Sequence, residues 1–296
     1  MTKKLLTSIV IIFSALRLDA QSLILDKFIQ HQKAGEHHFV IDKIDSILNT
    51  SPSDSLRIEL LRIQLYSFNV LEEWSRFKEN IDHSLKIGKR LNREESEFIE
   101  EYIQIQWYYQ SIRNFEEALK IGKKALDIAK GLEREKRLKY LPRSYNNYGY
   151  THSYFNSIDG FEYYDSALMI LKEQPILDTL TAARVFHNMG NHYNNNVRQN
   201  KGANFRFDYY NKSLKLYQQY NDPSKIALNN YVQAFNYYQA RKLDSAKYFY
   251  QQAIENLMND NGEVNNSKLF VIINRKLESL YFHRYSHSDF YTSLSC

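Results

Sequence analysis

Few side chains in this sequence could hold a metal or move a proton, and their spacing argues against a site. His283 and His287 stand four apart with Asp289 close by, a separation that places two imidazoles on one helical face. The stretch Ser286-His287-Ser288-Asp289 reads as a turn, however, and a turn scatters those ligands. His187 and His192 are five apart and diverge around a helix. The sequence has no Gly-rich loop running into Lys-Ser or Lys-Thr, no His-Glu-x-x-His, no Cys-x-x-Cys and no Gly-x-Ser-x-Gly. Its 9 glycines are scattered singly and build no phosphate loop or nucleophile elbow. The expectation is a protein without catalytic residues, metal ligands or a cofactor.

Charge offers one cluster. Lys120, Lys123, Lys124, Lys130, Arg134, Lys136, Arg137, Lys139 and Arg143 outweigh Asp127, Glu133 and Glu135. Such a stretch could dock an acidic peptide or a lipid headgroup, but acids interleaved with bases also describe a solvated helix face. The whole chain carries a formal charge of only +5, which makes no bulk case for nucleic acid. Cys296 is the only cysteine, so no disulfide framework forms within the chain and stability must come from packing.

Residues 1–20 read as a secretory signal peptide. Lys3 and Lys4 precede a mainly apolar run, Leu5 to Leu16, and Arg17-Leu18-Asp19-Ala20 ends in a small residue before Gln21. That run is well short of the roughly 20 residues that cross a bilayer, and no later stretch reaches that length. The expectation is an exported protein of the periplasm or cell envelope of a gram-negative-type bacterium, with no transmembrane span in the mature chain.

The elements that must position any site are helical. Glycine and proline are scarce, 9 and 4 in 296 residues, and turn dipeptides flanked by alternating strands are missing. An internal ruler repeats. Ala234, Tyr237, Ala246, Tyr250 and Ala253 stand at steps of three, nine, four and three, with Arg241 to Asp244 as the break. Tyr109, Ala118, Gly122 and Ala125 repeat the last three steps, as do Phe68, Phe77, Ile81 and Ser84. The first unit follows through Gln30, Phe39, Lys43 and Ser46, around Ala34-Gly35. Around Tyr148-Gly149 the connection reads as about one residue longer; around Met189-Gly190 it reads as about four longer, across Asn194 to Asn204. A last unit opens near Leu269, with Tyr281 and Phe290 nine apart. The period is roughly 38 to 44 residues, which gives about seven units, the last incomplete. Pro52, Pro142, Pro175 and Pro223 are expected in joints, because a helix-interior proline costs about 3 kcal/mol.

On Tyr148-Gly149, Met189-Gly190-Tyr193, Ala118-Ala125, Ala234-Tyr237 and Ala246-Tyr250-Ala253, the chain resembles the tetratricopeptide-repeat (TPR) family, in the exported bacterial form whose arrays precede sensor kinases or regulators. The resemblance covers residues 21–296. It implies an all-α, right-handed α-solenoid of antiparallel helix pairs whose first helices line a concave groove. The groove positions it implies are Arg62, Tyr66 and Asn69; Ile103, Trp107 and Gln110; Arg143, Asn146 and Tyr150; Arg184, His187, Asn191 and Asn194; and Tyr231, Phe235 and Tyr238. Arg can fork onto a carboxylate, Asn can bond a peptide backbone and rings give rigid contact area. The implied function is a non-catalytic scaffold gripping a protein or extended peptide. The alternative is a truncated sensory input domain of a signal-transduction protein, either a histidine kinase or a transcriptional regulator.

The ruler puts Ala246 where two helix backbones meet. Ala246→Leu should therefore cost roughly 1–3 kcal/mol by overpacking, read as a lowered midpoint in denaturant unfolding.

Overall fold

A computed structural model describes residues 23–155, 160–196, 203–258, 264 and 269–281. The leader expected at 1–20 and the group His283, His287 and Asp289 lie outside the described residues. The chain divides into two compact units, 1–108 and 109–296, with the division inside one helix.

The fold is all-α. Helices come in antiparallel pairs: α1 (23–33) with α2 (His37–Leu48), and α3 (Asp54–Val70) with α4 (Trp74–Arg90). A short 3-10 turn, Glu95–Phe98, leads into α5 (Ile99–Ser111), followed by α6 (Phe115–Gly131). Then come α7 (Arg134–Tyr154) with α8 (Gly160–Leu171), α9 (Thr179–Asn196) with α10 (Ala203–Tyr220), and α11 (Pro223–Gln239) with α12 (Leu243–Leu257). The helix at 269–281, α13, opens the seventh unit. Among the described residues the only β feature is an isolated bridge between Met258 and Val264.

A backbone device sets the turn inside four pairs. Gly35, Glu72, Arg113 and Arg241 adopt left-handed φ of 83°, 58°, 60° and 57°. The residue after each donates back five positions: Glu36 to His31, Glu73 to Phe68, Asn114 to Tyr109 and Lys242 to Tyr237, at 2.8–3.0 Å. This is the Schellman closure, which satisfies a carbonyl the helix would leave open. Counted from that turn residue, the fifth and ninth side chains onward are buried in every case: Val40 and Ile44, Phe77 and Ile81, Ala118 and Gly122, Ala246 and Tyr250.

That count corrects the first unit by one residue. Phe39 is 42% exposed while Val40 and Ile44 are fully buried. The left-handed residue is Gly35, so the inward face falls one position later than an alignment through Gln30, Phe39 and Lys43 would place it.

Glycines mark the closest crossings in unit two. A Cβ on Gly149 would sit 2.8 Å from the Gly160 carbonyl oxygen, and one on Gly190 would sit 2.6 Å from the Tyr210 ring. α7 ends at Tyr154 and α8 opens at Gly160, a wider gap than the one between Val70 and Trp74 or between Gln239 and Leu243, so this connection is longer than the common form, as expected. Between α9 and α10 helix takes both ends of the expected turn, since α9 runs to Asn196 and α10 starts at Ala203; residues 197–202 lie outside the described residues.

Pro142 departs from the expectation for prolines. Pro52 and Pro175 fall in joints and Pro223 opens α11, but Pro142 lies buried inside α7. A proline there removes the N–H that would bond the Leu138 carbonyl one turn back. The Gln174 amide supplies the missing donor: its Nε2 lies 2.7 Å from the Leu138 oxygen. Its Oε1 accepts from the Asp178 N–H at 2.8 Å, and Asp178 caps α9 through Thr181. A side chain outside the helix thus repairs the interruption and ties α7 to the start of α9.

Gln174→Ala should cost about 1–3 kcal/mol, the range for leaving a buried acceptor unsatisfied. Made together with Pro142→Ala, which restores the main-chain donor, the same change should cost measurably less; a double-mutant cycle by chemical denaturation reads the difference.

Candidate functional site

The first helix of each pair carries the residues expected to line a groove. In unit one these are Arg62, Tyr66 and Asn69 on α3 and Ile103 and Trp107 on α5. Arg62 is spoken for. Its Nε and Nη2 lie 2.9 and 2.8 Å from the two oxygens of Glu101, and its Nη1 lies 2.8 Å from Glu59. Glu101 is 1% exposed and also accepts from Ser84 Oγ at 2.6 Å, so the fork binds a carboxylate of its own chain. Burial opposes the charge on Arg62, but the hydrogen bond and charge of Glu101, with those of Glu59 and Glu100, outweigh it and hold the guanidinium above its ordinary pKa. Removing one partner of such a pair strands a buried charge, which costs about 3–5 kcal/mol. Ile103 is buried core. Tyr66 lies against His37, Trp107 lies edge-on to Phe77, and Asn69 is half-buried.

In unit two, Gln110 and Asn146 are corrected as contact residues. Gln110 is 8% exposed and its Nε2 donates to the Asn147 carbonyl and the Thr151 hydroxyl, at 2.8 and 2.7 Å. Gln32 does the same in unit one, bonding the Ile63 carbonyl and Ser67 Oγ at 2.6 and 2.9 Å. Both glutamines sit three residues before a left-handed turn, where the side chain reaches the next pair's first helix and clamps it. Asn146 is 4% exposed and accepts from Asn188 at 3.0 Å. Asn194 lies in the last turn of α9, and its side chain is outside the described residues.

The remaining positions are polar and aromatic residues on α7, α9 and α11. Arg143 lies by the Tyr140 ring, and the Tyr150 and Tyr154 rings meet at a tilt with centroids 4.6 Å apart. Burial pushes the Tyr150 hydroxyl above its usual pKa, and Tyr154 adds to the effect. Asn191 accepts from the Tyr210 hydroxyl at 2.8 Å. Tyr231 contacts the Tyr250 ring at 6.1 Å, and Phe235 and Tyr238 are half-buried on α11. His187 sits between Asn229, whose Nδ2 is 3.5 Å from its Nδ1, and the Tyr210 ring at 5.6 Å. His192 points elsewhere, to Ser153 Oγ at 2.8 Å. The two histidines therefore serve different contacts.

Sequence reasoning missed Asn188, Lys225 and Asn229. Lys225 sits two residues after a helix-opening proline and reads as part of a joint, yet the structure sets it beside His187 and Arg184. Burial and then the Arg184 charge lower Lys225 to about 8, against the pull of Asp222. Burial, helped by Lys225, lowers His187 to about 4. Along α11, Asn229, Gln233 and Asn236 are fully buried, and Gln233 Oε1 and Asn236 Oδ1 find no hydrogen-bond donor among the described residues. The basic cluster at 120–143 is partly neutralised: Lys123 pairs with Asp127 at 2.8 Å, Lys120 with Glu117 and Lys136 with Glu133.

His187 gives the fold a pH dependence with a definite sign. Its folded pKa is about 4 against an ordinary 6.5, so between those values the unfolded chain holds a proton that the folded chain lacks. Stability should therefore fall as pH drops through that window. In urea unfolding at pH 7 and pH 5, wild type should lose more of its midpoint than His187→Gln.

Neither a protein-family model nor a curated protein matches the chain. Solved structures do. NprR in complex with its cognate peptide NprX matches with TM-score 0.60 at 15% identity, over 86% of this chain and 69% of that one. The apo form of the quorum sensor NprR from B. thuringiensis matches with TM-score 0.58 at 15% identity, over 90% and 69%. BtubC from P. vanneervenii matches with TM-score 0.51 at 16% identity, over 72% and 83%. At these identities the likeness is one of fold, and it agrees with an antiparallel helix-pair repeat.

Proposed function

We propose that the chain is a non-catalytic scaffold that grips an extended peptide, or an extended segment of a protein, on the first-helix face of α7, α9 and α11. The observation that carries this reading is the row of half-buried Arg184, His187, Tyr231, Phe235 and Tyr238, which mixes hydrogen-bonding groups with rigid rings. Tyrosine and arginine are the side chains that most often dominate binding energy at such surfaces. The peptide-bound state of NprR, similar in fold, supports the choice of ligand class. The lysine-rich start and apolar run of residues 1–20 support export to the cell envelope, where a peptide from outside the cytoplasm would be the ligand. A role as the input part of a signalling pathway fits the same site.

The full chain, immobilised and exposed to a combinatorial heptapeptide pool, should retain peptides that mass spectrometry identifies. Phe235→Ala with Tyr238→Ala should cut retention at least tenfold without unfolding the chain. Retention of nothing, or hydrolysis of the pool by the pure protein, would contradict the reading.

A further inference from the structure

The edge where α7 begins and α8 hands over to α9 carries charge that the fold does not use. Arg134, Arg137 and Lys139 are exposed in the first turns of α7, and Lys130 is exposed at the end of α6. Among the described residues Lys136 pairs with Glu133, whereas these four meet no carboxylate. Lys139 lies over the Tyr140 ring at 5.0 Å and Lys130 over the Tyr145 ring at 5.8 Å. Cations in a first turn oppose the helix dipole, so Arg134 and Arg137 do nothing for the stability of α7.

Beside them stands an apolar tip. Gln174 closes the α8–α9 joint, donating to the Leu138 carbonyl of α7 at 2.7 Å and accepting from the Asp178 N–H at 2.8 Å. The loop closed in this way displays Pro175, Ile176 and Leu177. All three are exposed, Ile176 to 87% and Leu177 to 45%. A single exposed isoleucine is ordinary. A run of apolar residues on a loop anchored at both ends is surface that a partner would bury. Because the anchor is Leu138, the tip sits next to Arg137 and Lys139 in space. Lys172, also exposed, adds a cation at the end of α8. The acids of this edge are fewer: Glu133 is held by Lys136 and Asp178 caps α9, which leaves Glu135 and Glu173.

An apolar tip ringed by arginine and lysine is complementary to a bilayer with an anionic surface. Apolar side chains enter the boundary between headgroups and acyl chains while the cations meet phosphates. The tip projects and lines no groove, which suits a deformable lipid surface better than a rigid protein one. No described helix is long and apolar enough to cross a membrane, so such contact is peripheral. We infer that this edge docks the chain on an anionic lipid surface, with Ile176 and Leu177 inserted and Arg134, Arg137 and Lys139 on the headgroups. Docking here goes beyond peptide binding and stands without it.

The test is flotation of the full chain with vesicles of phosphatidylcholine alone and of phosphatidylcholine mixed equally with phosphatidylglycerol. Binding to the anionic vesicles should be at least tenfold tighter, and raised salt should erase most of the difference. Arg134→Gln with Arg137→Gln and Lys139→Gln should remove the preference, since each cation at such a surface strengthens binding about fivefold. Ile176→Ser with Leu177→Ser should weaken binding to the anionic vesicles at least tenfold. The substituted side chains are exposed, so thermal melting of both variants should match wild type. Equal binding to the two vesicles, or binding that survives both sets of substitutions, as the apolar run Leu5 to Leu16 alone would give, would overturn the inference. Preference for soluble polyglutamate over vesicles, untouched by Ile176→Ser with Leu177→Ser, would overturn it in favour of an acidic protein partner.

Discussion

Everything in this molecule depends on two helix backbones being allowed to touch. Where Gly149 meets Gly160, and where Gly190 meets Tyr210, there is no room for a methyl group. Elsewhere the same crossing is made by alanine, as at Ala118, Ala234, Ala246 and Ala253, all fully buried. A small residue on one helix lets a large ring on its partner, such as Tyr164, Tyr210 or Tyr250, fill the angle between them. Interiors packed this closely tolerate little change in volume, so the contact fixes both the spacing and the rotation of each helix. Rotation matters for function: it decides which side chains of a first helix turn towards the neighbouring pair and which stay accessible.

The joints then hold successive pairs in register. Gln32 and Gln110 reach across to the next first helix at equivalent places, and Gln174 mends the break that Pro142 makes in α7 while holding the start of α9. Such amide clamps are directional, and the one from Gln174 satisfies a carbonyl that Pro142 leaves without its main-chain donor. Short helices of this kind are marginal alone, so their stability is mostly lent by neighbours. The surface that results on α7, α9 and α11 is a by-product of that stacking, with charged and aromatic groups held half in and half out of water.

Much of the fold was legible because the small-residue ruler is a packing requirement written into residue types. Ala246, Tyr250 and Ala253 could be placed from spacing alone. What escaped was anything set by backbone handedness or by a distant partner. Gly35 shifts the first unit by one position because its turn places the left-handed residue there. Pro142 looked like a joint because the rescue by Gln174 comes from a residue far along the chain. At the candidate site the repeat pattern places the first helices, but spacing does not fix which of their side chains stay accessible. Spacing could not show that Glu101 already occupies the Arg62 fork, or that Gln110 and Asn146 are buried between helices. Nor could it show that Lys225, hidden next to a helix-opening proline, stands with Arg184 and His187. Tertiary contact decides these cases, and a repeat pattern carries no record of it.

The central claim is that small-residue crossings govern each pair and pass stability only to adjacent pairs. Amide hydrogen exchange on wild type and a Gly190→Ala variant tests it directly. The account predicts lost protection in α9 and α10, a smaller loss in α7 and α11, and unchanged protection in α12. Unchanged protection at α9 and α10, or an equal loss spread over every helix of the unit, would contradict it.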